Sequence, residues 1–340
     1  MKKTAVVILN WNGRSFLEKF LPEVVAYSSD EAEVIVADNA SSDDSVDFLK
    51  ENYPDLKIIQ NPTNSGYAGG YNEALAQLDH EYFVLLNSDI EVTEGWIKPI
   101  IDLMDSEPEI AACQPKIRSF HDKEYFEYAG AAGGFIDKYG YPFCRGRVFQ
   151  KLEKDEGQYD DITEVFWATG ACMFVRAELF IKLNGLDADF FAHMEEIDLC
   201  WRFKNAGYKI MYHPGSMVYH VGGGTLPNSS SWKTYLNFRN NFLLLYKNLP
   251  KNRLFKMFAS RLFLDGIAGL KFLAQGGLKD LWAVIRAHLS FYASIRTSRR
   301  KRKLLNQKKV SMVYQSNIAF DHYIWRVKKF SELQPHKFTK

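Results

Sequence analysis

The sequence predicts an α/β fold: a mostly parallel sheet flanked by helices, followed by a helical C-terminal region. Two observations carry this. Short apolar, β-branched runs alternate with stretches of helical periodicity over the first 116 residues. Beyond residue 232 the β-type runs stop, and long amphipathic helical patterns replace them.

Residues 4–9 (TAVVIL) are continuously apolar, as for a strand buried on both faces. Residues 15–27 form a helix with Phe16, Leu17, Phe20, Leu21 and Val24 on one side. Residues 33–38 (EVIVAD) are a second strand, and Ser41, Ser42, Asp43 and Asp44 then cap and charge the start of a helix. Residues 56–60 are a short third strand, 69–78 a helix behind a glycine-rich turn, and 82–86 (YFVLL) a fourth strand. A helix over 95–106 and a strand over 110–116 complete a βαβ series, whose crossovers imply parallel pairing. Residues 117–165 are irregular, with Gly130, Gly133, Gly134 and Gly140 among aromatics, and read as an insertion of loops or hairpins. Pattern returns at 166–175, with helices over 177–183 and 194–206 and short strands over 209–212 and 217–220. Helices follow over 232–248, 253–275 and 278–297. The Gly, Pro, Ser and Asn-rich stretch 222–231 marks a boundary, giving an α/β catalytic domain over 1–225 and a basic amphipathic helical region over 226–340.

Composition excludes some classes. At 46% hydrophobic and 25% charged the chain is an ordinary globular one. The apolar run after the two N-terminal lysines is too short for a secretory signal, and no stretch is long enough to cross a bilayer as a helix. Four scattered cysteines, without a Cys-x-x-Cys pair, indicate neither a zinc site nor a disulfide framework and fit a cytoplasmic location. The net charge of +2 conceals an asymmetry. Residues 251–340 hold 20 Lys and Arg against 4 Asp and Glu, leaving 23 against 37 in residues 1–250. A basic, aromatic-rich end suits the anionic inner face of a membrane, or alternatively packs on the catalytic domain with a solvated tip. Nucleic acid is not expected, because no recognition motif accompanies the charge.

Ligands of open parallel sheets bind beyond the carboxyl ends of the strands. Here four successive strand ends carry polar residues: Asn10 and Asn12; Asp38, Asn39 and Ser41; Asn64 and Gly66; and Asn87, Ser88 and Asp89. Turn chemistry alone explains any one of these loops, but carboxylates directly at the ends of apolar strands point to a site. Asp38 suits a base or ribose hydroxyls, and Asp89 suits a hard cation on a diphosphate. A second cluster holds Thr169 and Gly170, then Glu195, Glu196 and Asp198. One of these acids is a candidate general base. They also read as helix N-terminal acids, with Asp198 capping the helix or pairing with Arg202. His220 ends a β-type run before a glycine-rich stretch and is a candidate for a phosphate or metal contact.

The segments VVILNWNG, VIVADNASSDDS, NPTNSGYAGGYNEAL, LLNSDIEV, TGACMFVRAELFIKLNGLD and FFAHMEEIDLCWRFKNAGYKI, in this order, resemble glycosyltransferase family 2, inverting enzymes with a GT-A fold. The nearest likeness is to its rhamnosyltransferase-like branch in polysaccharide assembly, and it spans roughly residues 6–225. The resemblance implies a nucleotide diphosphate sugar donor (UDP-, dTDP- or GDP-linked), a glycan or lipid-linked acceptor, and Mg²⁺ or Mn²⁺. It implies nucleotide contacts at the start of VVILNWNG and at Asp38, with Asn72 a further substrate contact. Asn87-Ser88-Asp89 matches the metal-binding Asp-x-Asp element, with Asp89 retained as ligand and Asn87 replacing the first acid. Glu195-Glu196 matches the catalytic-base motif, His220 the histidine that completes the metal or diphosphate site, and Thr169-Gly170 the acceptor side. Glu196 stands where that motif more often has Asp. Two other readings of the residues are a nucleotidyltransferase, for which residues 10–14 lack the basic glycine-rich loop, and a non-catalytic membrane-associated protein that keeps a sugar-nucleotide fold.

Overall fold

The computed structural model describes residues 2–222 and 230–340. The glycine stretch after Gly222 and the boundary expected at 225/226 lie outside the described residues. The chain opens with β1 (Thr4–Asn10), α1 (Arg14–Ser28), β2 (Ala32–Asp38), α2 (Ser45–Asn52), β3 (Lys57–Gln60), α3 (Gly66–Leu75) and β4 (Tyr82–Asn87). The four strands pair in parallel in the order β3-β2-β1-β4, because each is joined to the next by a helix that covers the sheet; β1, β2 and β4 are apolar on both faces, and the short β3 stands at the edge. β5 (Ile90–Val92), α4 (Lys98–Ser106) and β6 (Ile110–Ser119) follow.

The irregular stretch contains β7 (Gly134–Asp137), β8 (Pro142–Cys144), β9 (Arg147–Val148), β10 (Lys151–Leu152) and β11 (Thr163–Val165). Then come β12 (Cys172–Arg176), α5 (Ala177–Lys182), α6 (Glu195–Ala206) and β13 (Lys209–His220). β12 enters the main sheet antiparallel between β4 and β6, so the sheet is parallel at one end and mixed at the other. The two short strands expected over 209–212 and 217–220 are one strand with an irregularity between His213 and Met217, which runs parallel to β6 and takes β5 and β11 antiparallel.

Apolar side chains fill both faces of this sheet. Leu17, Leu21, Trp96 and Ile100 lie on one side, and Tyr71, Phe180, Leu199 and Phe203 on the other. All four cysteines are buried and free.

Three helices follow: α7 (Ser231–Asn248), α8 (Lys251–Ala274) and α9 (Leu278–Lys303). β14 (Val313–Tyr314) and α10 (Ile318–Tyr323) come after them. β14 pairs in parallel with β7 and completes a second, five-stranded sheet, β10-β9-β8-β7-β14. Phe135, Phe143, Tyr314, Phe330 and Phe338 pack ring against ring beneath it. Among the described residues no helix is long and apolar enough to cross a membrane.

Candidate active site

Parallel pairing with Asn10 opposite Asp38 brings the first two strand ends side by side. Asn10 Nδ2 donates to Asp38 Oδ1 at 3.1 Å and to Ser41 Oγ at 3.2 Å, and the Ser41 amide donates to Asp38 Oδ2 at 3.0 Å. The Asn12 amide donates to Ser41 Oγ at 2.9 Å, and Asn12 Oδ1 accepts from the Ser42 amide at 2.7 Å. Asn39 Nδ2 reaches Asn64 Oδ1 at 3.0 Å and the Gly66 carbonyl at 3.1 Å. The strand-end residues therefore brace one another. Asn10 and Asp38 are buried behind the surface, while Asn12, Asn39, Asn64 and Gly66 line a cleft of about 420 Å³ with Trp11, Ser88 and Phe191. Gly66 has φ +76°, and a Cβ there would meet Phe191 at 2.9 Å, so the close approach of these two loops needs glycine.

A second cavity, also about 420 Å³, adjoins the first, and Tyr67, Asn87, Asp89 and Ala192 line both. Its walls include Glu127, Tyr128, Thr169, Gly170, His193, Glu195, Glu196, His220 and Lys233. Tyr67 Oη donates to the Gly170 carbonyl at 2.6 Å and fixes the Thr169–Gly170 wall. The sequence-predicted residues on the two sides of the main sheet thus meet in one bipartite depression, with Asn87 and Asp89 at the join.

Pairing of β13 with β5 sets His220 opposite Ile90, one residue beyond Asp89. His220 Nε2 lies 3.2 Å from Asp89 Oδ1, and its Nδ1 lies 3.4 Å from Glu127 Oε1. Burial opposes charge on this imidazole, yet Glu127 and Asp89 outweigh it and push its pKa up to about 10. Burial likewise raises the Asp89 carboxyl, and hydrogen bonding and charge from His220 more than compensate, leaving it below the ordinary range. Among the described residues no group of three or more His, Cys, Asp or Glu side chains is arranged to hold a cation. Carboxylate and imidazole are nonetheless donor types that fit a divalent ion whose remaining ligands are diphosphate oxygens, and a cation there would take the place of the imidazole proton that now lies between His220 Nε2 and Asp89.

Glu195 and Glu196 open α6 directly after a constrained turn. Phe191, His193 and Met194 have φ of 65°, 70° and 74°, values that side-chain-bearing residues adopt at a cost. Asn240 of α7 holds this turn, its Nδ2 lying 3.0 Å from the Phe190 carbonyl, 2.8 Å from that of Ala192 and 2.7 Å from that of His193. Arg239 adds bonds to the Asp189 and Phe190 carbonyls. Each glutamate has a buried Oε2 without a hydrogen-bond partner. Burial raises both carboxyls, Glu195 well above the ordinary range and Glu196 to about 7.

Besides Asn10, Asp38 and Ser41, which stand behind the cleft, two candidate contacts lie outside the cavity linings. Asn72 exchanges hydrogen bonds with the Leu186 backbone, donating to its carbonyl at 2.7 Å and accepting from its amide at 2.9 Å. The fully buried Asp198 carboxylate takes Arg202 Nε at 2.7 Å, Lys247 Nζ at 2.7 Å and Asn248 Nδ2 at 2.8 Å. Both act as internal ties. Conversely, Trp11, Tyr67, Glu127, Tyr128 and Lys233 line the depression without having been singled out. Glu127 lies in the aperiodic insertion, where no pattern signals it. Trp11 and Tyr67 sit inside the motifs already quoted.

A 315-residue match, 24% identical, links the chain to an N-acetylglucosaminyl-diphospho-decaprenol L-rhamnosyltransferase of Mycobacterium tuberculosis, over 87% of this chain and 95% of that one. Among solved structures it resembles S. aureus TarS 1-349 in complex with UDP-GlcNAc, at 16% identity and TM-score 0.56, over 88% of this chain and 84% of that one. It also resembles the mannosyltransferase PcManGT of Pyrobaculum calidifontis in complex with GDP-Man and Mn²⁺, at 15% identity and TM-score 0.52, over 86% of this chain and 75% of that one. These structural likenesses establish the GT-A fold. The family model described as glycosyl transferase family 2 matches residues 5–183, more than half of the chain. The chain is therefore a glycosyltransferase and belongs to family 2.

Proposed function

We propose that the enzyme moves a sugar, with inversion, from a nucleotide diphosphate sugar to a hydroxyl of a glycan or lipid-linked acceptor in cell-surface polysaccharide assembly. It works in the cytoplasm, peripherally on the inner face of the membrane. The observation that carries the reading is the partnerless, buried carboxylate oxygen of Glu196 in a cavity that joins the strand-end cleft at Asn87 and Asp89. The strand-end cleft takes the nucleotide, with Trp11 and Asn12 at its mouth and Asp38 behind them. The second cavity takes the acceptor against Thr169 and Gly170. Residues 1–225 carry this machinery, and 226–340 brace and site it.

Glu196 accepts the proton of the acceptor hydroxyl. The hydroxyl oxygen forms a bond to the anomeric carbon while the bond from that carbon to the diphosphate oxygen breaks, and the electron pair leaves with the nucleotide. Burial and the neighbouring Glu196 raise the Glu195 carboxyl well above the ordinary range, so the base is assigned to Glu196, which is raised only to about 7. Asp89 and His220 would hold Mg²⁺ or Mn²⁺, which supplies positive charge against the departing diphosphate. A rhamnosyltransferase relative with a diphospho-decaprenol acceptor supports a lipid-linked acceptor, and structures with UDP-GlcNAc and GDP-Man support a sugar nucleotide donor.

The test is a panel of UDP-, dTDP- and GDP-sugars, scored by thermal stabilisation with Mg²⁺ or Mn²⁺ and by slow release of nucleotide. One donor class should stabilise the fold and be hydrolysed, and Glu196→Gln should abolish transfer while leaving the stabilisation intact. Near-normal transfer by Glu196→Gln would overturn the assignment of the base.

A further inference from the structure

In the α8–α9 hairpin, α8 is built inside out. The inward face of α8 carries Met257, Arg261, Asp265 and Gly269, all buried at four-residue spacing. Arg261 Nη2 pairs with Asp265 at 3.0 Å, its Nη1 donates to the Tyr139 carbonyl at 3.0 Å and also reaches Asn241 Oδ1, and His288 Nε2 lies 3.3 Å from Asp265. The polar anchor therefore points at the protein, and the opposite face carries Phe255, Leu262, Phe263, Ile267 and Leu270. Phe255 is 88% exposed and Phe263 69%. α9 buries an apolar face of Ala283, Val284, Ala287 and Phe291 and still exposes a second apolar stripe: Leu278, Trp282, Ile285, Leu289 and Tyr292 fall at alternating four- and three-residue steps, with Trp282 60% exposed. A water-facing helix has its polar and apolar sides the other way round. Single exposed hydrophobes are ordinary, but two adjacent continuous stripes are not.

Charge is arranged along the hairpin as well. Residues 251–303 hold 13 Lys and Arg against Asp265 and Asp280. Among the described residues, Lys271 is the one charged side chain exposed between Lys256 and Lys279. The connection over 275–277 turns the chain back, and a Cβ on Gly269 would lie 3.0 Å from Leu281, so the two helices run side by side in opposite directions. Lys251, Arg253 and Lys256 thus stand at the same end as Arg296, Arg299 and Arg300, and the apolar turn stands at the other. Two further contacts extend the surface. Lys271 Nζ sits 4.4 Å from the ring centroid of Tyr323, beside exposed Trp325 and Ile324. At the turn end, Thr234 Oγ1 donates to Asp280 Oδ1 at 2.7 Å, which ties the start of α9 to the residue next to Lys233 in the cavity wall.

We propose that this outer face is the docking surface for an anionic lipid bilayer, with the apolar stripes in the interfacial layer, the basic ends at the headgroups, and the acceptor cavity held at the lipid surface. Where it concerns the acceptor, the proposal rests on the function given above. Charge complementarity selects the occupant. Ten exposed cations, with Asp265 buried and Asp280 taken by Thr234, match anionic headgroups and oppose symmetric pairing with a second copy, which would set like charges together. Amphipathic basic helices with Trp and Tyr along their apolar side bind such interfaces.

The test is flotation of the full chain with phosphatidylcholine vesicles, with and without phosphatidylglycerol, combined with light scattering of the free protein. The expected result is binding that needs phosphatidylglycerol, falls with added salt, and drops about tenfold or more in Phe263→Ser/Trp282→Ser. The free chain should be a monomer. Phosphatidylglycerol brominated on its acyl chains should quench wild-type fluorescence more than that of Trp282→Phe, a variant that leaves the fold intact. Absence of vesicle binding, equal binding by the double variant, or a stable dimer that the double variant dissociates would each overturn the proposal. Release of nucleotide from soluble donor should be the same in wild type and double variant. A wild-type chain that hydrolyses donor yet fails to bind vesicles therefore sinks the docking surface alone, whereas failure of the wild type to hydrolyse any donor sinks the proposed reaction and leaves the flotation result standing.

Discussion

Asn240→Leu tests how α7 controls the catalytic turn. The substitution keeps the branched, four-heavy-atom shape of asparagine and removes the Nδ2 donor that holds the carbonyls of Phe190, Ala192 and His193. Arg239 still serves the Phe190 carbonyl, so those of Ala192 and His193 lose the partner. Each buried acceptor left unsatisfied costs about 1–3 kcal/mol. The turn can relax instead, because Phe191, His193 and Met194 each hold a left-handed conformation worth about 1–2 kcal/mol. Relaxation caps the loss, and we expect about 2–4 kcal/mol from denaturant unfolding. It also moves Glu195 and Glu196, which start α6 next to Met194. A displacement of about 1 Å in a reacting group costs about 100-fold in rate, so kcat should fall by about two orders of magnitude with little change in donor affinity. Unfolding curves and single-turnover transfer at saturating donor measure both effects. Wild-type kcat in a destabilised Asn240→Leu would refute the reasoning, since the turn would then be a structural joint with no hold on the base.

Three further outcomes are expected. Transfer should fall about tenfold per pH unit below about 7, because the working form of Glu196 is deprotonated and burial holds its pKa there; a pH profile of kcat checks this, and Glu196→Gln should flatten what activity remains. The same shift has a stability consequence of the opposite sense: a carboxyl whose pKa is raised by folding stabilises the fold below the unfolded value and loses that contribution as pH rises through the raised one, so Glu196→Gln should melt higher than wild type at pH 8 and nearly alike at pH 4. Asp198→Ala should lose about 3–5 kcal/mol of stability, because it leaves the buried Arg202 without a carboxylate and Lys247 with Asp187 alone, whereas donor affinity measured on the remaining folded protein should be unchanged.

The parallel half of the sheet was legible because β1, β2 and β4 are β-branched, apolar on both faces and separated by helical periodicity. The entry of β12 between β4 and β6 was not, because a fully buried strand reads alike whichever way it runs and whichever strand it joins. The strand-end polar residues announce a crevice on their own. The nearness of Asp89 and His220, and of both to Glu195 and Glu196, depends on pairings between β5, β13 and the loops, which no local pattern encodes; only the family resemblance joined them. Glu127 escaped because its segment has no period, and Asn72 and Asp198 drew notice as polar residues at motif positions although the backbone and α7 occupy them.

The pairing of β14 with β7 has a consequence for the order of assembly. Ile136 meets Val313 across 177 residues, and the aromatic layer below them takes Phe135 from one end of that interval and Phe330 and Phe338 from the other. A contact so distant along the chain pays its loop-closure entropy late and folds slowly. During synthesis at about 5–20 residues per second, the strands at 134–152 wait roughly ten to thirty seconds for their partner. Through that interval the insertion that bears Glu127 and Tyr128 has an open sheet edge and an uncovered aromatic face. The nascent chain is then both unable to close its acceptor wall and exposed to misassembly, so catalytic competence on the ribosome arrives only once residues 313–338 have emerged.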